Sequence, residues 1–413
     1  MKCLWLTLAD PDPPFNGQFL YSSGLIHSAA AAGMELCVVG FSMPGGEHQD
    51  GKESDGISWR LAPHRPRSRF VGIFSALPQL ASRTKTRAMQ QLVRELLHAD
   101  RWDAIVVDSF NLGWALAMLD EVGRPPLVYI AHNHETSLAI KTAAAELNPL
   151  KRIAKRLDAA KVARLEASLV AHAGLVTSNT PEDCAQFRNR SPNTRVMFLP
   201  PGYSGMVVGD RHVTTVTPRR AIIVGSFDWV VKRQSLIAFL AVADPLFARA
   251  GIELYVVGQA EAAFLAELRR SVRATIFTGR VADVTPYMRE ARLALVPDQM
   301  PGFKLKGLDY VFNRLPIFAL SGSLPGMPLV DGRSARFYPD HERLAAGVIA
   351  SIDDVAALDR LQEAAHAACR DQFDWREIGC RLRNAIEQSV AFSDVTRIDR
   401  SDRAAPTRAT ASG

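Results

Sequence analysis

A glycine, two lysines and an aspartate stand at the start of one predicted helix, at Gly302, Lys304, Lys306 and Asp309. At about 100° per residue, Lys306, Asp309 and Asn313 fall together on one face of that helix. Gly302 allows the backbone to approach a ligand, and the N–H groups of the first helical turn favour an anion, whose charge the two lysines would balance. This combination suits the diphosphate of a sugar nucleotide, with Asp309 reaching hydroxyls of its ribose or sugar.

A second group of polar residues directly follows an apolar run, Leu127 to Ile130, that predicts a strand. The group is His132, Asn133, His134 and Glu135. Open parallel sheets bind ligands at the carboxyl ends of their strands, so these residues are candidates for catalysis. A histidine or Glu135 could remove a proton from an attacking hydroxyl as general base. The alternative is a hydrogen-bonded strand end that caps the following helix.

A third candidate is the loop that contains Gly225 and Ser226, which lies between a predicted strand and a helix that has Lys232 in its first turn. A glycine at a strand end and a lysine at a helix start can together bind an anion. A surface lysine that only complements the helix terminus is the alternative.

The loop after the first predicted strand ends at Gly17, which either meets a ligand or only permits a turn before the next helix. The same loop contains Asp10 and Asp12, spaced as in an Asp-x-Asp metal motif. Because two prolines follow them directly, we predict no metal site there.

Strands and helices alternate along the chain, which predicts parallel α/β sheets. A chain of 413 residues exceeds what one hydrophobic core usually supports, so we predict two doubly wound, Rossmann-like domains. The predicted parts are an N-terminal domain, residues 1–203, a linker, 204–218, a C-terminal domain, 219–375, a final helix, 376–392, and a disordered tail, 393–413.

The composition is that of an ordinary globular protein, with 47% hydrophobic and 22% charged residues. The sequence shows no apolar run of the roughly 20 residues that span a bilayer and no cleavable signal pattern, so we expect a cytoplasmic protein. Five scattered cysteines predict reduced thiols and no disulfide framework. A net charge of +6 favours anionic partners.

The run from Gly302 to Asp309 resembles the donor-binding helix of the GT-B glycosyltransferases, in particular the retaining family 4. Two departures stand out. The second glutamate of the family motif is Asp309 here, and Pro301 replaces the first glutamate, which in the family lies by the reacting sugar. The resemblance implies a cleft between two Rossmann-like domains, with the last helix crossing back to the first domain.

The same resemblance assigns roles to other segments. The run from His132 to Glu135 is similar to a family segment by the reacting sugar, and Lys232 matches a lysine on the donor phosphates, although Ser226 replaces the accompanying arginine. Arg280 and Val281 belong to a run that lies against the nucleotide base in the family. The full set of candidate donor residues is Gly17, Gly225, Ser226, Lys232, Arg280, Val281, Gly302, Phe303, Lys304, Lys306 and Asp309, and the catalytic candidates are His132, His134 and Glu135.

We therefore expect a metal-independent, retaining glycosyltransferase that uses a sugar-nucleotide donor and no other cofactor. The expected acceptor is a glycan or a lipid-linked glycan of bacterial surface polysaccharide or lipopolysaccharide, and no nucleic acid is expected as partner. The basic run 64–69 could touch the inner membrane, or be only a solvated loop. A sugar-nucleotide epimerase or hydrolase of the same fold, and a catalytically silent binding protein, are the alternatives.

Overall fold

The computed structural model describes residues 1–64, 75–119, 121 and 125–404, so most of the basic run 64–69 lies outside the described residues. The chain forms two compact units. Unit 1 comprises Met1–Pro201 and Trp375–Gly413, and unit 2 comprises Gly202–Asp374.

Unit 1 contains an eight-stranded sheet in the order β3-β4-β2-β1-β5-β6-β7-β8, parallel except for the short β3. Its strands are β1 Lys2–Ala9, β2 Glu35–Phe41, β3 Glu53–Ser54, β4 Ile57–Ala62, β5 Ala104–Asp108, β6 Leu127–Ala131, β7 Leu175–Ser178 and β8 Arg195–Phe198. Its helices are α1 Gly17–Ala31, α2 Gln79–Thr84, α3 Arg87–Ala99, a 3₁₀ helix Phe110–Ala115, α4 Leu116–Leu119, α5 Glu135–Ala144, α6 Pro149–His172, α7 Pro181–Arg190 and, after unit 2, α14 Trp375–Ala404.

Both faces of this sheet are buried. In β1, Leu4 and Leu6 enter one hydrophobic core, while Cys3 and Trp5 enter the core on the opposite face. This alternation follows from the two-residue period of a strand. The sheet therefore lies between two layers of helices, as a parallel sheet requires.

Unit 2 contains a six-stranded parallel sheet in the order β11-β10-β9-β12-β13-β14. Its strands are β9 Arg220–Val224, β10 Glu253–Val257, β11 Thr275–Gly279, β12 Leu293–Val296, β13 Ile317–Leu320 and β14 Arg336–Tyr338. Its helices are α8 Val230–Ala250, α9 Ala262–Ser271, α10 Thr285–Arg289, α11 Leu305–Phe312, α12 His341–Ser351 and α13 Val355–Cys369. Separate cores again cover its two faces, and the predicted class of two doubly wound α/β domains is confirmed.

The last helix, α14, packs against α1 within unit 1. Gly24 makes the close approach possible, since a Cβ atom there would overlap the ring of Trp375. Gly379 does the same on the facing side, against the backbone of Ser28. The helix is longer than the predicted 376–392 and reaches Ala404, so it includes part of the predicted tail, and residues 405–413 lie outside the described residues.

Residues 204–218, for which the sequence predicts a linker, belong to unit 2. Val213 is buried in its core. The Arg211 guanidinium donates hydrogen bonds to several carbonyls of the same unit, among them those of Ala291 and Arg314. These contacts anchor the polar, glycine-interrupted segment to the unit, which its composition alone does not indicate.

Candidate functional site

Unit 2 has three lysines, Lys232, Lys304 and Lys306, which lie near the point where the strand order of its sheet reverses. β9 pairs with β12 on one side and with β10 on the other, so the chain leaves β9 and β12 towards opposite halves of the sheet. Ligands of open α/β sheets bind beside the carboxyl ends of the strands at such a reversal. Residues 202–374 contain no other lysine.

Asp298, two residues after the end of β12, holds two of these lysines. Its Oδ1 lies 2.9 Å from the Lys304 Nζ, and its Oδ2 lies 2.7 Å from the Lys306 Nζ. The Lys304 Nζ also donates to the Met300 carbonyl at 2.6 Å. The exposed fractions of the side chains are 15% for Asp298, 8% for Lys304 and 19% for Lys306, so the ion pairs are largely shielded from water.

The electrostatic balance of the site is positive. Burial would raise the pKa of Asp298, but Lys306 and Lys304 hold it well below its usual range. Burial lowers the pKa of Lys304, and Asp298 opposes that shift. Burial and the charge of Lys306 also lower the pKa of Lys232. The three ammonium groups outnumber the carboxylates that act on them, those of Asp298 and Asp228, so the cluster keeps a positive charge that can bind an anion.

The loop between β12 and α11 shapes this site. Gly302 adopts φ = 88°, a conformation that favours glycine. Lys304 occupies the N-cap position of α11 and its side chain makes no capping hydrogen bond, so the helix start has no side-chain cap. Positive helix-end charge and the lysine side chains therefore act in the same place.

Asp309, one turn further along α11, lies beside Tyr203 and Asn313. Burial raises the pKa of Asp309 to about 6, and a hydrogen bond from the Tyr203 hydroxyl opposes the shift. The Asn313 Nδ2 donates to the Tyr203 hydroxyl oxygen at 3.3 Å and to the Asp309 carbonyl at 2.9 Å. The next residue, Tyr310, accepts a hydrogen bond of 2.7 Å from the Val224 N–H, which ties α11 to the end of β9.

The remaining candidates of unit 2 are less concentrated. Gly225 and Ser226 follow β9, and the Ser226 hydroxyl donates to Asp228 Oδ2 at 2.8 Å. Phe303 packs against Phe373, with ring centroids 5.8 Å apart. Arg280 is exposed and Val281 is half-buried; both follow β11, which lies at the sheet edge, two strands away from β9.

In unit 1 the strand order of the sheet reverses between β1 and β5, and Asp108 is the last residue of β5. The fully buried Asp108 accepts a hydrogen bond of 3.1 Å from the Trp5 indole N–H, and its other carboxylate oxygen lies 2.7 Å from His132 Nε2. Because a carboxylate accepts, His132 donates through Nε2, and in the neutral ring Nδ1 is then free of a proton. Ser109 next to Asp108 has φ = 144°, a strained conformation for a residue with a side chain.

His134 lies deeper than His132, with only 3% of its surface exposed. Its ring caps α5, since Nδ1 accepts a hydrogen bond of 3.2 Å from the Ser137 N–H. Glu166 of α6 completes this cap by accepting from the N–H groups of Glu135 at 2.7 Å and Thr136 at 3.0 Å. The position of His134 therefore agrees with the alternative named above, in which the strand end caps the following helix.

Glu135 begins α5 and its side chain is half-buried. Burial and the nearby Glu166 raise its pKa to about 7, against the opposing effects of Asn133 and His132. A carboxyl group that titrates near neutral pH is suited to accept and return a proton. Gly17, by contrast, is the first residue of α1, directly after the Asn16 cap.

Sequence reasoning missed three residues of these sites, Asp298, Asp108 and Tyr203. Asp298 and Asp108 stand at or just beyond strand ends, the same signal that drew attention to His132. Tyr203 carries no such signal, because its partner Asp309 lies more than a hundred positions later.

Two family models match the chain. Residues 16–202 match the model of a glycosyl transferase 4-like domain, and residues 218–354 match that of the glycosyl transferases group 1. Together they take in most of the chain, which therefore belongs to the glycosyltransferases of GT-B fold. Among curated protein sequences, none matches the chain.

Three solved structures illustrate the likeness of fold. Sucrose-phosphate synthase from Thermosynechococcus elongatus is 17% identical with a TM-score of 0.69, and the match covers 95% of this chain and 99% of that one. WaaG, a glycosyltransferase involved in lipopolysaccharide biosynthesis, is 18% identical with a TM-score of 0.63 over 93% and 99%. Anabaena HepE in complex with UDP-glucose is 15% identical with a TM-score of 0.59 over 95% and 99%.

These matches define the protein as a transferase of the GT-B class, in agreement with the sequence resemblance. Within the part of the chain that the structure describes, no helix has both the length and the apolar character needed to cross a bilayer.

Proposed function

We propose that this protein transfers a hexose from a UDP-sugar to a glycan or lipid-linked glycan acceptor in the assembly of a surface polysaccharide or lipopolysaccharide. The lysine cluster around Asp298 carries this proposal, because its net positive charge suits the two negative charges of a sugar-nucleotide diphosphate. The preference for uridine is supported by the HepE complex with UDP-glucose, and the pathway by the likeness to WaaG.

In the proposed reaction the bond between the sugar and the diphosphate loosens, and negative charge grows on the departing phosphate oxygens. Lys232, Lys304 and Lys306 stabilise that charge from fixed positions, without a metal ion at the diphosphate. Preorganised cations of this kind stabilise a transition state more than water does, because they need no reorientation. We propose that transfer retains the anomeric configuration, as the sequence resemblance implies.

Asp309 is proposed to accept hydrogen bonds from hydroxyls of the donor. Its carboxyl group is held by Tyr203, so its orientation is set before a donor arrives. The raised pKa of Asp309, about 6, places it in its ionised, accepting form at neutral pH.

On the acceptor side we propose that Glu135 takes the proton from the attacking hydroxyl, with His132 beside it as a hydrogen-bonding group. Asp108 orients the His132 ring through the bond of 2.7 Å to Nε2. This assignment gives His134 no part in the chemistry.

Donor binding tests the proposal most directly. Isothermal titration of UDP into Lys306→Ala should show affinity reduced by about tenfold to a hundredfold, since a charge-assisted contact contributes roughly 1.5–3 kcal/mol. Arg343→Ala is the matched control: it removes one positive charge from unit 2 at an exposed site, where Arg343 pairs with Asp340 at 3.8 Å. Equal affinity in both variants would reject the lysine site.

Turnover then separates the reaction classes. A UDP-sugar that binds and yields product only with an acceptor identifies a transferase acting as proposed. Free sugar or an epimer formed without acceptor would identify the hydrolase or epimerase alternative. Donor binding without product under any acceptor would identify a silent binding protein, in keeping with Pro301.

We also propose that unit 1 rests on the cytoplasmic face of an anionic membrane through the start of α6. Leu150, Ile153 and Leu157 are each more than half exposed and recur at helical spacing on one side of α6. Lys151 and Arg156 are exposed on either side of this apolar stripe. An apolar stripe bordered by basic residues is typical of helices that bind at a membrane surface.

Vesicle sedimentation tests this surface. The protein should bind vesicles that contain phosphatidylglycerol and bind those of phosphatidylcholine weakly, and Leu157→Glu should abolish binding. Leu80→Glu introduces the same charge at another exposed leucine of unit 1 and serves as control. Vesicle binding that survives Leu157→Glu would exclude α6 as the contact.

A further inference from the structure

A cluster of histidine and aspartate side chains lies in unit 1 and includes Asp10 and Asp12, where the sequence alone predicts no metal site. Asp12 comes from the loop after β1, His27 from α1 and His48 from the loop after β2. The Oδ2 atom of Asp12 lies 2.8 Å from His27 Nε2 and 3.8 Å from His48 Nδ1. One ligand atom from each of the three residues can be chosen so that all lie within 4.8 Å of one another.

The surroundings hold these side chains in place. The Ser23 hydroxyl donates to Asp12 Oδ1 at 2.6 Å, which leaves Oδ2 turned towards both histidines. The buried Asp10 lies 2.8 Å from His48 Nδ1 and also accepts from the His48 backbone N–H at 3.0 Å. Trp59 stacks on the His48 ring, with centroids 3.7 Å apart and the planes 15° from parallel.

We propose that Asp12, His27 and His48 bind a divalent transition-metal ion, with zinc as the ion they fit best. Two imidazoles and a carboxylate are a donor set that zinc uses in proteins, with bonds of about 2.0–2.2 Å. Tetrahedral bonds of that length place the ligand atoms roughly 3.4 Å apart. The spacings of 2.8 Å and 3.8 Å lie on either side of that separation.

An ion can reach the cluster from one side. The His27 side chain is 45% exposed, whereas Asp12 and Asp10 are buried. Small rotations of the exposed His27 can therefore adjust the geometry, and water or Asp10 can supply a fourth ligand. A second group of possible ligands, His212, Asp359 and Glu363, offers one histidine and two carboxylates, which is a weaker donor set for zinc.

The proposed ion would connect three segments: the loop from β1 to α1, helix α1 and the loop after β2. Its role is to fix the loop that leads to Gly17 and α1. All of its ligands belong to unit 1, so the inference is independent of the proposed binding of the diphosphate by lysines of unit 2.

Zinc titration of the full chain tests the inference. The protein, freed of any histidine tag and of metal by chelator dialysis, is titrated with Zn²⁺ at pH 7.5 against a competing chromophoric chelator. All samples carry Cys380→Ser, which removes the one exposed cysteine. We expect one zinc ion per chain, and a tetrahedral absorption spectrum when Co²⁺ replaces it.

His27→Ala and His48→Ala should each weaken zinc binding at least tenfold, since even indirect partners of a metal ligand contribute about 10–100-fold to affinity. His172→Ala is the control, because that exposed ring lies outside the cluster and forms its hydrogen bond to the Ser168 carbonyl of its own helix. Because the His27 side chain is 45% exposed, His27→Ala should keep the fold, which circular dichroism checks. Failure to bind one zinc ion, or unchanged affinity in His27→Ala, would overturn the proposal.

Discussion

Asp298 pairs with two lysines, so replacing it by asparagine tests both the ion-pair cluster and its proposed ligand. Asp298→Asn leaves Lys304 with no counter-charge at a position where 8% of its side chain is exposed. Breaking a buried ion pair typically costs about 3–5 kcal/mol. Because Asp298 and Lys306 keep some contact with water, we expect roughly 2–4 kcal/mol here.

Thermal unfolding of unit 2 measures this loss. For a unit of this size 1 kcal/mol corresponds to about 2–4 °C, so Asp298→Asn should lower the melting temperature by roughly 4–16 °C. A bound diphosphate would replace the missing negative charge. UDP should therefore raise the melting temperature of Asp298→Asn by more than it raises that of the unaltered protein.

Asp210→Asn makes the same chemical change at a side chain that is 85% exposed, and should shift stability by less than about 0.5 kcal/mol. The reasoning fails if Asp298→Asn melts at the same temperature as this control. It also fails if UDP stabilises the altered and unaltered proteins equally, since the lysines would then not serve the diphosphate.

Three further substitutions address single groups. The pKa of Glu135 is raised to about 7, so ionisation of this carboxyl group destabilises the fold increasingly from about pH 4.5 to 7. In thermal unfolding, Glu135→Gln should therefore stabilise the protein by at most ~3 kcal/mol at pH 8 and by less at pH 5. The same substitution should abolish sugar transfer. Gly302→Ala should lower the free energy of unfolding by about 1 kcal/mol or more, because alanine is strained at a φ of 88°. Calorimetry should also show weaker UDP binding in this variant. Asp108→Asn should lower kcat about a hundredfold with little change in KM, because His132 loses its orientation; equal rates would exclude that role.

Sequence patterns predicted the elements that position the site. Short apolar runs such as Leu293–Val296 predict buried strands, and in the structure this run is a strand whose four residues are all buried. A parallel sheet is covered on both faces, so its strands are apolar throughout. Gly302 also adopts the positive φ that its place before a helix suggests. Local chemistry determines features of this kind, and a single sequence is enough to find them.

Features that depend on distant contacts were not predictable in the same way. The start of α6 carries exposed leucines, which do not follow the burial period of a core helix, so apolar periodicity does not indicate its first turns. His48 meets Asp12 only because β2 lies beside β1 in the sheet. No spacing along the chain indicates such a pair.

Asp298 has a further consequence for how the lysine site must work. A diphosphate has to compete with the Asp298 carboxylate for Lys304 and Lys306, so the carboxylate lowers donor affinity. Without it, however, burial and mutual repulsion would lower the pKa of both Lys304 and Lys232 further, and the protein would lose the stability expected for Asp298→Asn until a bound diphosphate supplied the negative charge. The carboxylate therefore stabilises the charged lysines until a donor arrives, and the net charge of the cluster still favours the diphosphate.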